Sequence, residues 1–191
     1  MWAFLGSDVM FFGSLITTHL IYRGQSLTGP AEEILNIPVT SISTFVLLMS
    51  SLAMVLALAA IQRGNIRGMR LWLSATAVLG MIFIGFQMFE FYEFAHLGLT
   101  PRTNLFGSTF LVMTGFHGAH VTFGVFWLWS LVFLSFKGKV RQDTSLDVEI
   151  AGLYWHFVDI VWIVIFGVVY LIGAYGVEAS DAAHAVAGML S

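Results

Sequence analysis

The chain has 191 residues, of which 58% are hydrophobic and 10% charged, with a formal net charge of −3. A soluble domain carries about 25% charged residues, so this composition excludes an ordinary water-facing surface and points to a polytopic membrane protein. No strongly basic stretch suggests nucleic acid, and the absence of cysteine excludes disulfides and thiolate metal sites.

A membrane span needs about 20 mostly apolar residues, and only a helix satisfies its own backbone there. Five segments qualify. The first is predicted over about residues 2–22, with Asp8 its only formal charge. It is read as a span rather than a cleavable signal, because no basic flank precedes it and its length suffices to cross. The second is predicted over 39–61, after Pro38, and is free of charge. The third runs over 71–92. The fourth, 104–136, is longer than a perpendicular crossing requires, so it should tilt or project. The fifth, 149–175, carries His156 and Asp159. The expected fold class is all-α, one transmembrane domain over residues 1–191. The tail from Gly176 is small and polar and is expected to be loose or interfacial.

Basic residues set the expected orientation. Arg63, Arg67 and Arg70 lie in the second loop, and Lys137, Lys139 and Arg141 in the fourth; only Arg23 and Arg102 lie on the other side. Six against two predicts a cytoplasmic N-terminus and an external C-terminus.

Ionisable residues inside a membrane are costly and are therefore site candidates. Asp8 sits about 9 Å into the first span. It reads either as a proton-accessible or partner-contacting acid, or as an acid hydrogen-bonded near the interface. Gln87, Glu90 and Glu93 fall toward the outer end of the third span, where the simplest reading is a helix end reaching the interface. His117 and His120 share one face of the fourth span, since residues three apart are helical neighbours. Imidazoles so spaced suit a metal or haem; they also suit hydrogen bonding across helices. His156 and Asp159 have the same spacing and read as a proton relay or as a buried polar lock, with Glu149 on the same inner side. Small residues mark expected helix contacts at Ser14 and Thr18, then at Gly115, Gly118, Ala119 and Gly124. The sequence has no phosphate-cradling loop and no nucleophile with an adjacent base.

At these same residues the chain resembles subunit III of the haem-copper oxidases, the cytochrome c oxidase subunit 3 family. The resemblance is carried by SDVMFF (residues 7–12), QMFEF (87–91), FGSTFLVMTGFHGAHVTFG (106–124) and EIAGLYWHFVDIVWIVIF (149–166). The chain looks like the five-helix bacterial form, lacking the first two helices of the mitochondrial type. Asp8 stands where the mitochondrial form commonly has glutamate. The resemblance implies an accessory, non-redox subunit with no metal and no catalytic residue of its own. Haem and copper would belong to partner subunits I and II of an aerobic, proton-pumping oxidase in the bacterial plasma membrane. It implies packing against subunit I, retained phospholipid, support of proton uptake and of turnover stability, and a place in a respiratory supercomplex. The residues carried over as buried polar or proton-supply groups are Asp8, Glu90, His117, His120, Glu149, His156 and Asp159. Asp8 matches the family's carbodiimide-reactive acid. Under this reading the histidines join helices, and Asp8, His120, His156 and Asp159 are expected to share one polar patch on the inner half. The alternatives are subunit III of a quinol oxidase, a subunit III-like protein of nitric oxide reduction, and a self-sufficient haem- or metal-binding membrane protein.

Overall fold

The computed structural model describes residues 1–22, 37–98, 105–140 and 145–171. Among the described residues are five helices long and apolar enough to cross a membrane. They are α1 (Trp2–Tyr22), α2 (Ile37–Gln62), α3 (Ile66–His96), α4 (Leu105–Phe136) and α5 (Ser145–Ile165). A π-helical turn, Phe166–Leu171, continues α5. Asn104, where the fourth span was expected to begin, the basic residues Arg23, Arg102 and Arg141, and everything from residue 172 lie outside the described residues.

Helices α2, α3, α4 and α5 close a ring, each packed on the next and α5 back on α2. Helix α1 lies outside that ring, against α4 and α5. It buries little more than Leu5, Asp8, Phe12 and His19. The ring encloses the largest buried side chains, Trp155, Trp162, Tyr154 and Phe83 among them. Lipid tails are as apolar as leucine, so hydrophobicity alone does not bring such helices together; close packing and hydrogen bonds do. Trp155 shows how. Its indole lies against both Gly80 of α3 and Gly124 of α4, so tightly that a Cβ on either would collide with the ring. Two glycines make the notch and one tryptophan fills it.

Polar local signals move several helix ends away from the hydropathy boundaries. Helix α3 begins at Ile66, not near Leu71, because Asn65 caps it: Asn65 Oδ1 accepts the Gly68 N–H at 2.9 Å. The two arginines of this first stretch, Arg67 and Arg70, carry apolar stems that tolerate an interfacial helix end. At its other end α3 runs on to His96. Helix α5 starts at Ser145, with Asp147 in its first turn, where an acid favours the positive end of the helix dipole.

The α2–α3 and α4–α5 connections lie at the same end of the bundle. Arg70 ties them: its Nε donates to Ser135 Oγ at 2.8 Å and its Nη2 to the Ser135 carbonyl at 2.5 Å. The guanidinium also sits 4.7 Å over the Phe136 ring. Gly64 and Gly138 terminate α2 and α4 with φ of 73° and 72°. That left-handed conformation lets Asn65 N–H reach the Ala60 carbonyl and Lys139 N–H the Leu134 carbonyl.

Candidate functional site

Several buried polar residues of the spans lie at helix–helix seams. Helix α2 supplies a rail of hydroxyls. Trp162 Nε1 donates to Thr44 Oγ1 at 2.9 Å, and Trp155 Nε1 donates to Ser50 Oγ at 3.0 Å. Ser51 Oγ lies 2.7 Å from His156 Nδ1. The Asp159 carboxyl is also beside Ser51. Asp159 is 3% exposed. Thr40, one turn from Thr44, donates to Glu90 Oε1 of α3. Hydroxyls at 40, 44 and 51 recur with helical spacing along one side of α2, so this rail was legible in the sequence and was missed.

Helix α4 carries the second set. His117 is fully buried, with Nε2 3.2 Å from the Val158 carbonyl of α5. A carbonyl only accepts, so Nε2 carries the proton. The same imidazole stacks on Trp162, ring centroids 4.8 Å apart, and meets the edge of Phe83. His120 donates through Nδ1 to the Phe116 carbonyl of its own helix at 2.7 Å. Its Nε2 faces Asp8 Oδ2 of α1 at 3.7 Å. Tyr154 of α5 closes this corner, its hydroxyl donating to the His120 carbonyl at 3.0 Å. Further along α1, His19 Nδ1 meets Thr109 Oγ1 of α4 at 3.0 Å.

The structure corrects the sequence reading at four places. The single patch of Asp8, His120, His156 and Asp159 divides in two: Asp8 meets His120 where α1 lies on α4, while His156 and Asp159 turn toward Ser51 of α2. The reason is helical phase, because positions 156 and 159 of α5 face α2, while 154 and 158 face α4. His156 and Asp159 therefore converge on a shared serine rather than forming a pair of their own. Glu90 does not reach the interface; it is 3% exposed, inside the α2–α3 seam. Glu149 is exposed rather than buried, at the mouth of a cleft of about 450 Å³ between α2, α5 and the start of α1. That cleft is walled by Trp2, Met54, Leu58 and Leu153, with His156 beside Glu149 as its other titratable side chain.

The expected packing residues also separate. Gly124 takes Trp155 and Tyr154, and Gly118 takes the Gln87 carboxamide, whose Oε1 would stand 2.8 Å from an added Cβ. A Cβ on Gly115 would meet nothing within 4 Å among the described residues, and Ala119 is exposed. Ser14 and Thr18 are exposed and bond their own helix, to the Phe11 and Ser14 carbonyls.

Chemically, this arrangement orients helices. Among the described residues no three His, Asp or Glu side chains come together as a metal site. His117 and His120 each give one nitrogen to a carbonyl, and their other nitrogens point to different surroundings. They do not fit a shared metal or an axial haem pair.

A family model described as cytochrome c oxidase subunit III matches residues 1–174 of the chain. A cytochrome c oxidase subunit 3 of Bacillus sp. (strain PS3) is 39% identical over 176 residues, covering 92% of this chain and 85% of that protein. A quinol oxidase subunit 3 of Bacillus subtilis (strain 168) is 36% identical over 176 residues, covering 92% and 86%. A cytochrome c oxidase subunit 3 of Synechocystis sp. is 41% identical over 172 residues, covering 88% and 72%.

Proposed function

The chain belongs to the cytochrome c oxidase subunit III family, and from that premise we propose that it is the accessory subunit of a bacterial cytochrome c oxidase, seated on subunit I. As a subunit III it is a membrane protein of a multi-subunit terminal oxidase, an oxidoreductase complex. Oxygen reduction and proton pumping belong, in this reading, to subunits I and II, which hold the haem and copper. This subunit buttresses the complex, holds phospholipid and supports proton uptake and stability in turnover. The observation that carries the reading is where the imidazoles and acids go. His117 faces the Val158 carbonyl, His156 the Ser51 hydroxyl and Glu90 the Thr40 hydroxyl of neighbouring helices, so these groups serve to join spans; the buried Asp159 carboxyl stands beside Ser51 with neither oxygen hydrogen-bonded among the described residues.

The apolar cleft between α1, α2 and α5 suits an acyl chain, with Glu149 and His156 at polar positions. The inner-membrane orientation, N-terminus inside, is supported by the shared end of Arg63, Arg67, Arg70, Lys137 and Lys139, which the Arg70–Ser135 bonds hold together. The membrane is then the bacterial plasma membrane, and the oxidase is free to join a respiratory supercomplex.

A quinol-oxidizing complex is the second reading. The 36% identity to a quinol oxidase subunit 3 favours it nearly as much as the 39% favours cytochrome c. Copurification decides. The complex is isolated through a tag on this chain, its polypeptides are identified, and oxygen uptake is followed with reduced cytochrome c and with a quinol. A dicopper-bearing partner with cytochrome c turnover supports the proposal. Quinol turnover alone replaces it with the second reading, and isolation without any haem-bearing partner overturns both.

A further inference from the structure

One buried acid takes no part in joining spans. Asp159 is 3% exposed, and among the described residues neither carboxyl oxygen makes a hydrogen bond and no ion pair holds it. It lies about 21 Å along α5 from Ser145, deep in the hydrocarbon. The helices around it bring no counter-charge. Helix α2 has no ionisable residue between Ile37 and Gln62. On α4, His117 gives its Nε2 proton to the Val158 carbonyl; on α1, Asp8 faces His120; on α3, Glu90 is taken by Thr40. Within α5 the nearest titratable group is His156.

A carboxylate left alone in hydrocarbon is too costly to persist and neutralises instead. Water reaches neither oxygen of Asp159 directly. A proton handed over by a neighbouring side chain still can. The cleft of about 450 Å³ between α2, α5 and the start of α1 supplies the approach. It extends along α5 from Glu149 to His156, about 10 Å. A water's share of liquid volume is about 30 Å³, so the cleft has room for water at His156. The imidazole is half-buried, with Nδ1 2.7 Å from Ser51 Oγ, which leaves Nε2 to the cleft. On the far side of Ser51 stands the Asp159 carboxyl. A serine hydroxyl has one proton and two lone pairs, so Ser51 can accept from the imidazole while donating to the acid, or the reverse.

We propose that Asp159 is a proton-binding site loaded from the cleft through His156 and Ser51. A proton from water joins His156 Nε2, the proton on Nδ1 moves to Ser51 Oγ, and the Ser51 proton passes to the Asp159 carboxylate. One proton enters, one negative charge is neutralised, and His156 and Ser51 end neutral. Unloading runs the same steps backward. Every group in the path belongs to this chain, so the inference is independent of which oxidase the subunit serves.

The test is hydrogen–deuterium exchange of the Asp159 carboxyl, followed by infrared spectroscopy of the assembled oxidase in native membranes. The carbonyl band of the protonated acid is assigned by its loss in Asp159→Asn or, where that variant does not accumulate, by its displacement in Asp159→Glu. After transfer to D2O the band is expected to shift in the unmodified chain, and to do so roughly tenfold or more slowly in Ser51→Ala and in His156→Phe. Ser51→Thr keeps the hydroxyl and should restore the rate. The direction of the change separates a relay from mere packing: a loosened seam admits water and speeds exchange, whereas a broken relay slows it. Ser50→Ala removes the acceptor of Trp155 Nε1 and leaves the relay whole, so it should exchange at least as fast as the unmodified chain. Unchanged or faster exchange in Ser51→Ala and His156→Phe overturns the proposal. So does the absence of an Asp159 band, or a band that never exchanges in the unmodified chain because an acyl chain keeps water from His156. None of these outcomes bears on the oxidase reading, which copurification decides.

Discussion

A Cβ placed on Gly80 would stand 2.6 Å from the Cη2 atom of Trp155. The indole is therefore in contact with the backbone of α3, while its Nε1 donates to Ser50 of α2 and its other edge lies on Gly124 of α4. One side chain of α5 thus touches the other three helices of the ring. Gly80→Val is expected to force these helices apart at a cost of about 1–3 kcal/mol. The check is the thermal midpoint of the purified oxidase, read by loss of this subunit. Gly6, with nothing among the described residues within 4 Å of an added Cβ, is the comparison, and Gly6→Val should cost less. Equal losses from the two would remove the notch as an explanation.

Glu90 and Thr40 make the corresponding statement for the α2–α3 seam. Thr40→Val removes the hydroxyl that donates to a buried carboxyl, leaving that oxygen short of a partner at about 1–3 kcal/mol. Glu90→Gln retains a carbonyl that accepts from Thr40 and should cost less. Chain level in membranes and the temperature of detergent-induced dissociation rank the two. A ranking in which Glu90→Gln is the more damaging would sink the seam reading and favour a role for the ionised acid.

Ser51 stands between His156 and Asp159, so the three are expected to be energetically coupled. Single replacement of His156 or Asp159 should cost on the order of 1–3 kcal/mol and loosen association with the oxidase without removing haem. The pair Ser51→Ala and His156→Phe should be less than additive, with a coupling of about 0.5–3 kcal/mol. Strict additivity in thermal unfolding would mean that the 2.7 Å contact contributes nothing.

The histidines predict a spectrum. This chain, separated from its partners, should show no Soret absorption and no stoichiometric iron or copper. A Soret band lost in His117→Phe or His120→Phe would reverse the reading, making these residues ligands.

The sequence singled out these polar residues but did not show their company. Hydropathy placed five spans because a run of 20 apolar residues has one stable backbone solution in lipid. It missed the first turns of α3 and α5, since Asn65 and Asp147 act through single local interactions that an average over a window erases. Spacing alone put His117 with His120 and His156 with Asp159. Side chains three apart share a face, yet the interhelical partners of His117, His120 and His156 lie 41, 112 and 105 residues away in sequence, at Val158, Asp8 and Ser51.

What the sequence determined by itself is the solvent this protein lives in, the number of crossings and, through four motifs of which two are long, its family. Those properties are sums over local composition or strings of consecutive residues, and neither needs to know which helix neighbours which. Only the tertiary structure decided that α1 stands outside a ring of four, that Gly80 and Gly124 form a notch while Gly115 faces outward, and that Glu90 is buried. Each depends on the rotation of one helix against another. In hydrocarbon that rotation is fixed by the fit of side chains into neighbouring backbones and by hydrogen bonds between spans, neither of which leaves a periodic trace in the α4 sequence, apolar on every side.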